Sequence, residues 1–424
     1  MIKFLIKGLF RDRSRSLFPT IIVVGGVMLT VVLYSWMKGF EKDIVRANAN
    51  FRSGHLIVMS RAYAKNSDQM PNDLAYIGSD GLVSVLNKDY PEILWLPRIR
   101  FAGLIDIPDS SGETIMQGPI IGLGADLISR LSPEFEFLNL KESLVSGNLP
   151  SKRGEMLIAD ELAKRLGIKS GQMATVITST MYGSFSTFNM IVSGTIRFGV
   201  AAIDRGLIIA DISDIRNGLD MKDATGEIVG FFQDGRYSYS KADNIKQSFN
   251  QGYAHNDDRF APVMYTLMEH SGLAATLIMY KYVSSALISI FILAMSIVLW
   301  NAGLLGSIRR YGEFGIRLAI GEDKGHLYKF LIVESAVIGL FGSIIGTLIG
   351  ISFSYYLQEV GINISSMLKN ASIVVSDVMR AQITPISFLV GFVPGLLATL
   401  LGSSISGVGI YRRQTSQLTK EFEA

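Results

Sequence analysis

The chain has 424 residues, of which 49% are hydrophobic and 18% are charged, with a formal net charge of +3 and a mean hydropathy of +0.33. It is too apolar for an ordinary soluble protein and too charged to lie entirely within a membrane, so a few membrane spans joined to a sizeable water-soluble part are predicted. The small net charge gives no support to a nucleic-acid partner. The absence of cysteine excludes disulfides, thiolate metal sites and cysteine nucleophiles.

Residues 1–15 set basic side chains against apolar ones and predict an amphipathic helix on the cytoplasmic membrane surface. A plain basic flank of a first membrane span explains the same composition equally well. The apolar run in residues 16–40 is too long for the core of a signal peptide, and no small-residue cleavage site follows Trp36. This run therefore predicts a first transmembrane helix that is retained in the protein.

The long segment 41–272 alternates strand-like and helix-like stretches, which predicts an α/β domain with its own core. Predicted strands lie at 54–59, 155–158, 174–178 and 206–210, and predicted helices at 160–166, capped by Gly167, and at 213–219. The polar, turn-rich stretches 60–80 and 232–260 are interpreted as loops or mobile arms.

Three further apolar segments are long enough to cross a membrane. In chain order the remaining segments are interpreted as a stalk and second transmembrane helix (273–308), a charged segment (309–330), a third helix (331–358), a short loop (359–381), a fourth helix (382–411) and a tail (412–424). Glycines recur at every fourth position within the last two helices, at Gly342, Gly346 and Gly350 and at Gly391 and Gly395. This spacing lets helix backbones approach closely, either within one four-helix bundle or across a dimer interface.

The distribution of Lys and Arg predicts the orientation in the membrane. Basic residues concentrate in 1–15, in 309–330 and in 412–424, whereas the short loop 359–381 carries only Lys369 and Arg380. Since basic loops remain in the cytoplasm, both termini and the 309–330 segment are predicted to be cytoplasmic. The α/β domain is then periplasmic.

The segment 309–330 is the most informative part of the sequence, because it begins RRYGEFGIRLAIGEDK between two apolar spans. Glu313 and Arg317 stand four residues apart, a spacing that favours a helix. Phe314 and Leu318 share a face that is able to fill a hydrophobic groove on a partner. Gly321 is predicted to end this helix. A solvated loop has no need of such apolar side chains, so we predict that the segment docks on a soluble protein.

Motifs for chemistry carried by the chain itself are missing from the sequence. No P-loop is present, and the four histidines show no metal-ligand spacing. Glu334 lies at the edge of the third span and is a candidate functional group, although pairing with Arg317 or Lys329 explains it as well. We predict that the chain is not an enzyme and holds no metal or cofactor of its own.

The run Tyr311–Gly321, followed by residues 329–334 and a glycine-rich span, closely resembles the permeases of the macrolide-exporter (MacB/FtsX) superfamily of ABC transporters. This superfamily includes the lipoprotein-releasing Lol permeases, to which the chain is most similar. Segments 54–58, 121–126 and 147–167 resemble motifs of the family's external domain. The resemblance implies an α-helical membrane protein with four transmembrane helices and a large α/β periplasmic domain inserted between the first and second helices.

In that family the segment between the second and third spans holds a coupling helix that sits in a cleft of a cytoplasmic ABC ATPase. The resemblance assigns this contact to Glu313, Phe314, Gly315, Ile316, Arg317, Ala319 and Gly321. It implies two permease chains, identical or different, paired with a separate ATPase dimer that binds ATP and Mg. ATP hydrolysis then moves the periplasmic domain, a mechanism called mechanotransmission.

The resemblance to Lol permeases implies extraction of lipoproteins from the bacterial inner membrane, with membrane lipids and a periplasmic lipoprotein chaperone as further partners. Two alternatives remain open. One is an efflux permease that passes drugs, peptides or lipids from the periplasm to an outer-membrane partner. The other is an FtsX-like regulator of a cell-wall hydrolase, which the large size of the external domain disfavours.

Overall fold

A computed structural model of the chain describes residues 13–109, 111–129, 132–254, 256–270, 273–308, 311–364 and 378–412. The chain divides into two compact units. The helical unit comprises Met1–Lys42, Ile278–Ile362 and Met379–Ala424, and the sheet domain comprises Asp43–Leu277 and Asn363–Val378. Most of the predicted segments 1–15 and 412–424, and much of 359–381, lies outside the described residues.

The α-helices are α1 (Arg13–Asn48), α2 (Arg61–Ala64), α3 (Ser79–Asp89), α4 (Glu134–Phe137), α5 (Leu140–Ser143), α6 (Asp160–Leu166), α7 (Ala201–Asp204), α8 (Ile212–Gly218), α9 (Tyr239–Gly252), α10 (Leu273–Ile308), α11 (Tyr311–Ala319), α12 (Lys324–Glu359) and α13 (Phe392–Arg412). The strands are β1 (Leu56–Ser60), β2 (Tyr76–Ile77), β3 (Ile93–Pro108), β4 (Thr114–Ala125), β5 (Leu144–Gly147), β6 (Glu155–Ala159), β7 (Met173–Ser179), β8 (Phe185–Ile196), β9 (Leu207–Asp211), β10 (Ala224–Thr225), β11 (Glu227–Phe232), β12 (Pro262–Thr266), β13 (Ile362–Asn363) and β14 (Val378–Met379).

Four helical segments among the described residues are long and apolar enough to cross a membrane, namely Leu17–Ser53, Leu273–Asn301, Lys324–Glu359 and Pro385–Val408. The sheet domain is inserted between the first and the second, which confirms the predicted fold class. Helices α1, α10 and α12 each have 36 residues. At 1.5 Å per residue each is about 54 Å long. They are therefore longer than the hydrocarbon core of a membrane, which is about 30 Å thick.

The helical unit packs through glycine positions on α12 that face α1. A Cβ atom at Gly346 would lie 2.7 Å from the carbonyl oxygen of Val24, and one at Gly350 would lie 2.9 Å from the Cβ of Val31. Gly342 meets α1 in the same way. Because only glycine leaves room at these points, the two backbones approach closely, as the small-residue spacing predicts for membrane helices.

The fourth helix uses its own glycines in the same bundle. A Cβ atom at Gly391 would lie 2.8 Å from the carbonyl oxygen of Val27, and one at Gly395 would lie 2.5 Å from the Val27 side chain. Val27 is 1% exposed and belongs to a cluster that also contains Leu299 and Ala398. All five of the glycines predicted to pack helices thus face other helices of the same chain.

One half of the sheet domain is a four-stranded antiparallel sheet with the spatial order β12-β1-β11-β3. Together with α3 and α9 it forms a β-α-β-β-α-β arrangement of the ferredoxin-like kind. Its core consists of residues from both helices and all four strands, among them Leu56, Leu86, Trp95, Phe232, Phe249 and Met264. Both helices contribute buried side chains to this core, so they cover one face of the sheet.

The other half of the sheet domain is a closed barrel. The strands follow the ring β3-β4-β9-β6-β8-β7 and return to β3, since β7 pairs with both β8 and β3. The 16-residue strand β3 belongs to both halves, because its first part pairs with β11 and its second part with β4 and β7. Closure leaves the ring strands without free edges, and buried aliphatic side chains fill the interior.

The strands expected near 54–59, 155–158, 174–178 and 206–210 are present as β1, β6, β7 and β9. Helix α6 ends as predicted at Gly167, whose φ of +69° is left-handed. Residues 60–80 form a turn-rich connection with only short helical turns and the two-residue strand β2, in line with the loop interpretation, whereas the interpretation of 232–260 as a loop or mobile arm is wrong. The second stretch contains the 14-residue helix α9, which buries Ala242 and Phe249 in the core. This helix is difficult to predict because it is polar overall and has only a few apolar residues along one face.

Candidate functional site: the helix between the second and third membrane helices

Helix α11, hereafter the loop helix, spans Tyr311–Ala319 and connects to α12 through four residues. Its end is closed by a Schellman motif, in which the N–H of Glu322 donates to the carbonyl of Arg317 and that of Gly321 to Leu318, both at 3.1 Å. Gly321 has a φ of +100°, which favours glycine because it lacks a Cβ. The loop helix therefore ends where the sequence predicted.

The next helix begins immediately after this turn. The carboxylate of Asp323 caps α12 by accepting a hydrogen bond from the backbone N–H of His326 at 3.2 Å. Hydrogen bonds fix both the C-terminal end of the loop helix and the N-terminal end of α12, so the four connecting residues have little conformational freedom. The loop helix is consequently held at a defined angle to α12.

Phe314 lies in the interior of the helical unit and not on its surface. Its side chain is 0% exposed and packs in a cluster with Leu327 and Leu331 of α12, against which Leu318 also packs. We therefore correct the expectation that Phe314 and Leu318 fill a groove on a partner. The helical periodicity identified the apolar face, but this face is covered by the chain's own third membrane helix.

Arg317 makes two contacts beyond the loop helix. Its guanidinium carbon lies 4.9 Å from the centroid of the Phe330 ring, a cation–π arrangement. Its Nε lies 3.8 Å from one carboxylate oxygen of Glu322, and the other oxygen lies 3.8 Å from Nε2 of His326. Arg317 thus helps to hold the turn in place.

Glu334, the other candidate functional group of this region, is half-buried on α12.

A different set of side chains forms the outer face of the loop helix. Ile316 is 52% exposed and Ile320 is 82% exposed, and Ala319 is exposed between them. The spacing of three and four residues places all three on one side of the helix. Among the seven predicted contact positions, Ile316, Ala319 and Gly321 are exposed, Glu313 and Arg317 are half-buried, and Phe314 and Gly315 are buried. Ile320 is not among the predicted contact positions, although its distance of four residues from Ile316 is a usable signal.

The sheet domain contains buried charges but, among the described residues, no group of acidic and histidine side chains arranged to hold a metal ion. The guanidinium of Arg98 donates two hydrogen bonds to Glu134 at 2.8 and 2.6 Å, and both side chains are almost completely buried. Arg98 also donates to the carbonyl oxygen of Asn50 at 2.6 Å, just beyond the end of α1. This pair ties the segment after α1 to β3.

A second buried pair lies two residues along the same strand. Arg100 donates to both oxygens of Glu227, which also accepts from the hydroxyl of Tyr63 at 3.5 Å. Burial alone would lower the pKa of Arg100, but the Glu227 carboxylate and its hydrogen bonds raise it overall. The guanidinium therefore stays charged. Arg100, Glu227 and Tyr63 bond to one another inside the domain, so this ion pair serves the fold.

Comparison with known proteins finds a family match for part of the helical unit. Residues 285–415 match the family described as FtsX-like permease C-terminal. The lipoprotein-releasing system transmembrane protein LolC of two strains of Xylella fastidiosa is 24% identical over 229 residues, which is 52% of this chain and 53% of LolC. An uncharacterized ABC transporter permease of Methanocaldococcus jannaschii is 27% identical over 142 residues, covering 31% of this chain and 35% of that protein.

The chain thus spans about half the length of the LolC proteins it matches, at 53%. Among solved structures, the periplasmic region of MacB from Actinobacillus actinomycetemcomitans is matched with 11% identity and a TM-score of 0.34, over 51% of this chain and 90% of that region. The family match covers most of the second membrane helix, the loop helix, and the third and fourth membrane helices. Part of the chain therefore matches the FtsX-like permease family, as the motifs around the loop helix predicted, and the chain is similar to LolC and to an ABC transporter permease.

Proposed function

We propose that this chain is the permease subunit of a mechanotransmission-type ABC transporter in a bacterial inner membrane. In this proposal the loop helix lies in the cytoplasm together with both termini, and the sheet domain lies in the periplasm. A separate ABC ATPase dimer binds ATP and Mg and docks on the loop helix. A second permease chain, identical or different, completes the assembly.

The observation that carries the proposal is the outer face of the loop helix. A short helix closed at its C-terminal end presents Ile316, Ala319 and Ile320 to solvent between two membrane helices. Burying one isoleucine in a protein groove contributes about 1.5–3 kcal/mol. An apolar face of this size matches the helix-in-groove mode of recognition. We therefore assign the ATPase contact mainly to this face.

Release of lipoproteins is the cargo that we favour. The similarity to LolC supports it, because LolC is a transmembrane protein of a lipoprotein-releasing system. ATP-driven closure of the ATPases would move the loop helix and then the periplasmic domain, which would lift an acylated protein from the membrane. Membrane lipids and a periplasmic lipoprotein chaperone would be the other partners.

One purification experiment tests both the partner and the cargo. The full chain and its Ile316→Asp variant are isolated from their native membranes in mild detergent, and co-purifying proteins and acylated ligands are identified by mass spectrometry. We expect an ABC ATPase and acylated proteins with the unchanged chain, and at least about a tenfold loss of ATPase with Ile316→Asp, because a charge cannot enter an apolar groove unpaired.

The matched control is Ile115→Asp in the sheet domain, where the isoleucine is similarly exposed at 62%. It should leave the amount of bound ATPase unchanged. Undiminished ATPase with Ile316→Asp would contradict the docking assignment. Recovery of an outer-membrane channel without acylated proteins would favour the efflux alternative, and recovery of a cell-wall hydrolase would favour the FtsX-like regulator.

A further inference from the structure

We propose that Phe314 is a positioning residue that locks the loop helix onto α12, so that the two helices move as one body. The third membrane helix then receives the movement of the docked ATPase. The role of the ATPase in this inference rests on the proposed function. The lock itself is a property of this chain alone and is testable without any partner.

The packing around Phe314 is the first observation. Phe314 and Leu327 are both 0% exposed, and Leu331 is 3% exposed. Leu327 and Leu331 stand one turn apart on α12, so their side chains form one continuous apolar surface. A buried phenyl ring removes a large apolar area from water and contributes strongly to packing. Removal of the ring would leave a cavity between the two helices.

The connection between the helices is the second observation. Residues 320–323 carry the Schellman motif of the loop helix and the cap of α12, and Arg317 reaches over the ring of Phe330 at 4.9 Å. The loop helix is therefore fastened to α12 by a buried ring, by a closed turn and by a cation–π contact. Each of these contacts lies at a different point along the loop helix, so sliding and rotation are both opposed.

The position of α12 in the helical unit is the third observation. Its glycine face meets α1, as described above, and a Cβ at Gly339 would lie 3.2 Å from Leu396 of α13. In the most apolar stretch of α12, 33% of the residues are buried, against 6% in that of α10. A displacement of α12 is thus passed to its neighbours, whereas the described part of α10 is only weakly engaged. The movement of the docked ATPase therefore enters the helical unit through α12.

The lock is tested by hydrogen–deuterium exchange on the purified full chain in detergent, without ATPase. Phe314→Ala should raise the amide exchange rate of residues 311–319 by about tenfold or more, because local opening no longer breaks a buried contact. Phe314→Leu keeps an apolar side chain in the cluster and should restore most of the protection. Ile316→Ala lies on the outer face and should leave the exchange rate unchanged.

Unchanged exchange in Phe314→Ala would overturn the proposal. So would an increase that is no larger in the loop helix than in α13, since the ring would then support the whole bundle and not one joint. An equal response to Ile316→Ala would overturn it as well.

The mechanical role is tested in the complex with the ATPase. Phe314→Ala should still co-purify the ATPase, but ATP should no longer change the exchange of α12, whereas in the unchanged complex it does. Loss of ATPase binding in this variant would assign Phe314 to docking and overturn the inference. If Ile316→Asp keeps the ATPase while the exchange results hold, the proposed docking face is wrong but the lock stands; if the unchanged chain recovers no ATPase, the proposed partner is wrong and the lock again stands.

Discussion

His55 shows how burial at a single residue makes the stability of the sheet domain depend on pH. The imidazole is 6% exposed, lies among the rings of Phe231, Phe232 and Tyr237, and accepts a hydrogen bond at Nδ1 from the backbone N–H of Phe232. Burial lowers its pKa from 6.5 to about 4, against a smaller opposing effect of Asp234. The neutral form is therefore the one that fits the folded domain.

The resulting prediction concerns the free energy of unfolding. Because the pKa is lower in the folded state than in the unfolded state, the contribution of His55 is complete above pH 6.5 and is lost as the pH falls toward 4. The full loss is about 3 kcal/mol, at 1.36 kcal/mol per pKa unit. His55→Asn keeps an acceptor without a titrating group, so the variant should lose less stability between pH 7 and pH 4.5. Urea unfolding of both proteins at the two pH values, followed by circular dichroism, measures this, and equal losses would rule out His55 as the titrating group.

Buried ion pairs are the residue-scale feature that the sequence does not reveal. Arg98 and Glu134 lie 36 positions apart, in a strand and in a four-residue helix. No spacing rule connects them, because their meeting depends on how the chain from β4 to α4 returns to the sheet. A buried charge without a partner would be strongly unfavourable, so Arg98 and Glu134 have to be buried as a pair when the domain folds.

At the scale of elements, the glycine face of α12 is the feature that organises the bundle. The contact of Gly346 with the Val24 carbonyl oxygen involves backbone on both sides and has no flexible side chain that is able to yield. Gly346→Leu should therefore destabilise the helical unit by about 1–3 kcal/mol or more, as overpacking does in other tightly packed cores. The adjacent Ile345, which is 42% exposed, provides the control Ile345→Leu.

Thermal unfolding of both variants in the same detergent measures this difference. We expect a lower unfolding temperature for Gly346→Leu alone. If the two variants unfold at the same temperature, the glycine is not required for close approach of α1 and α12.

Helix α9 and the loop helix show what periodicity is able to predict at this scale. The loop helix was predicted from its charge spacing and its terminal glycine, which act within one or two turns. Helix α9 was missed because its polar composition resembles that of a surface loop, and only its packing against β12 and the rest of the core explains its stability. Local signals were thus sufficient for one helix and insufficient for the other.

At the scale of the whole molecule, the sheet domain has two hydrophobic cores of its own, one in the barrel and one beneath α3 and α9. A segment with this much buried apolar surface is able to fold without the membrane helices. We predict that residues 43–277, expressed alone, form a soluble domain with mixed α/β circular dichroism and a cooperative thermal transition. A gradual, non-cooperative loss of signal would show that the domain depends on the helical unit.

The sequence by itself determined the four membrane helices, the insertion of a large α/β domain and the loop helix between the second and third spans. These features follow from local physics, since a charge-free run of sufficient length has to avoid water and a glycine is able to close a helix where it stands.

Only the tertiary structure decided which side of the loop helix is exposed to solvent. The periodicity of residues 314–320 identifies two faces, but it does not say that Leu327 and Leu331 cover one of them. The exposed surface is therefore set by contacts with another helix, and those contacts exist only once the chain has folded.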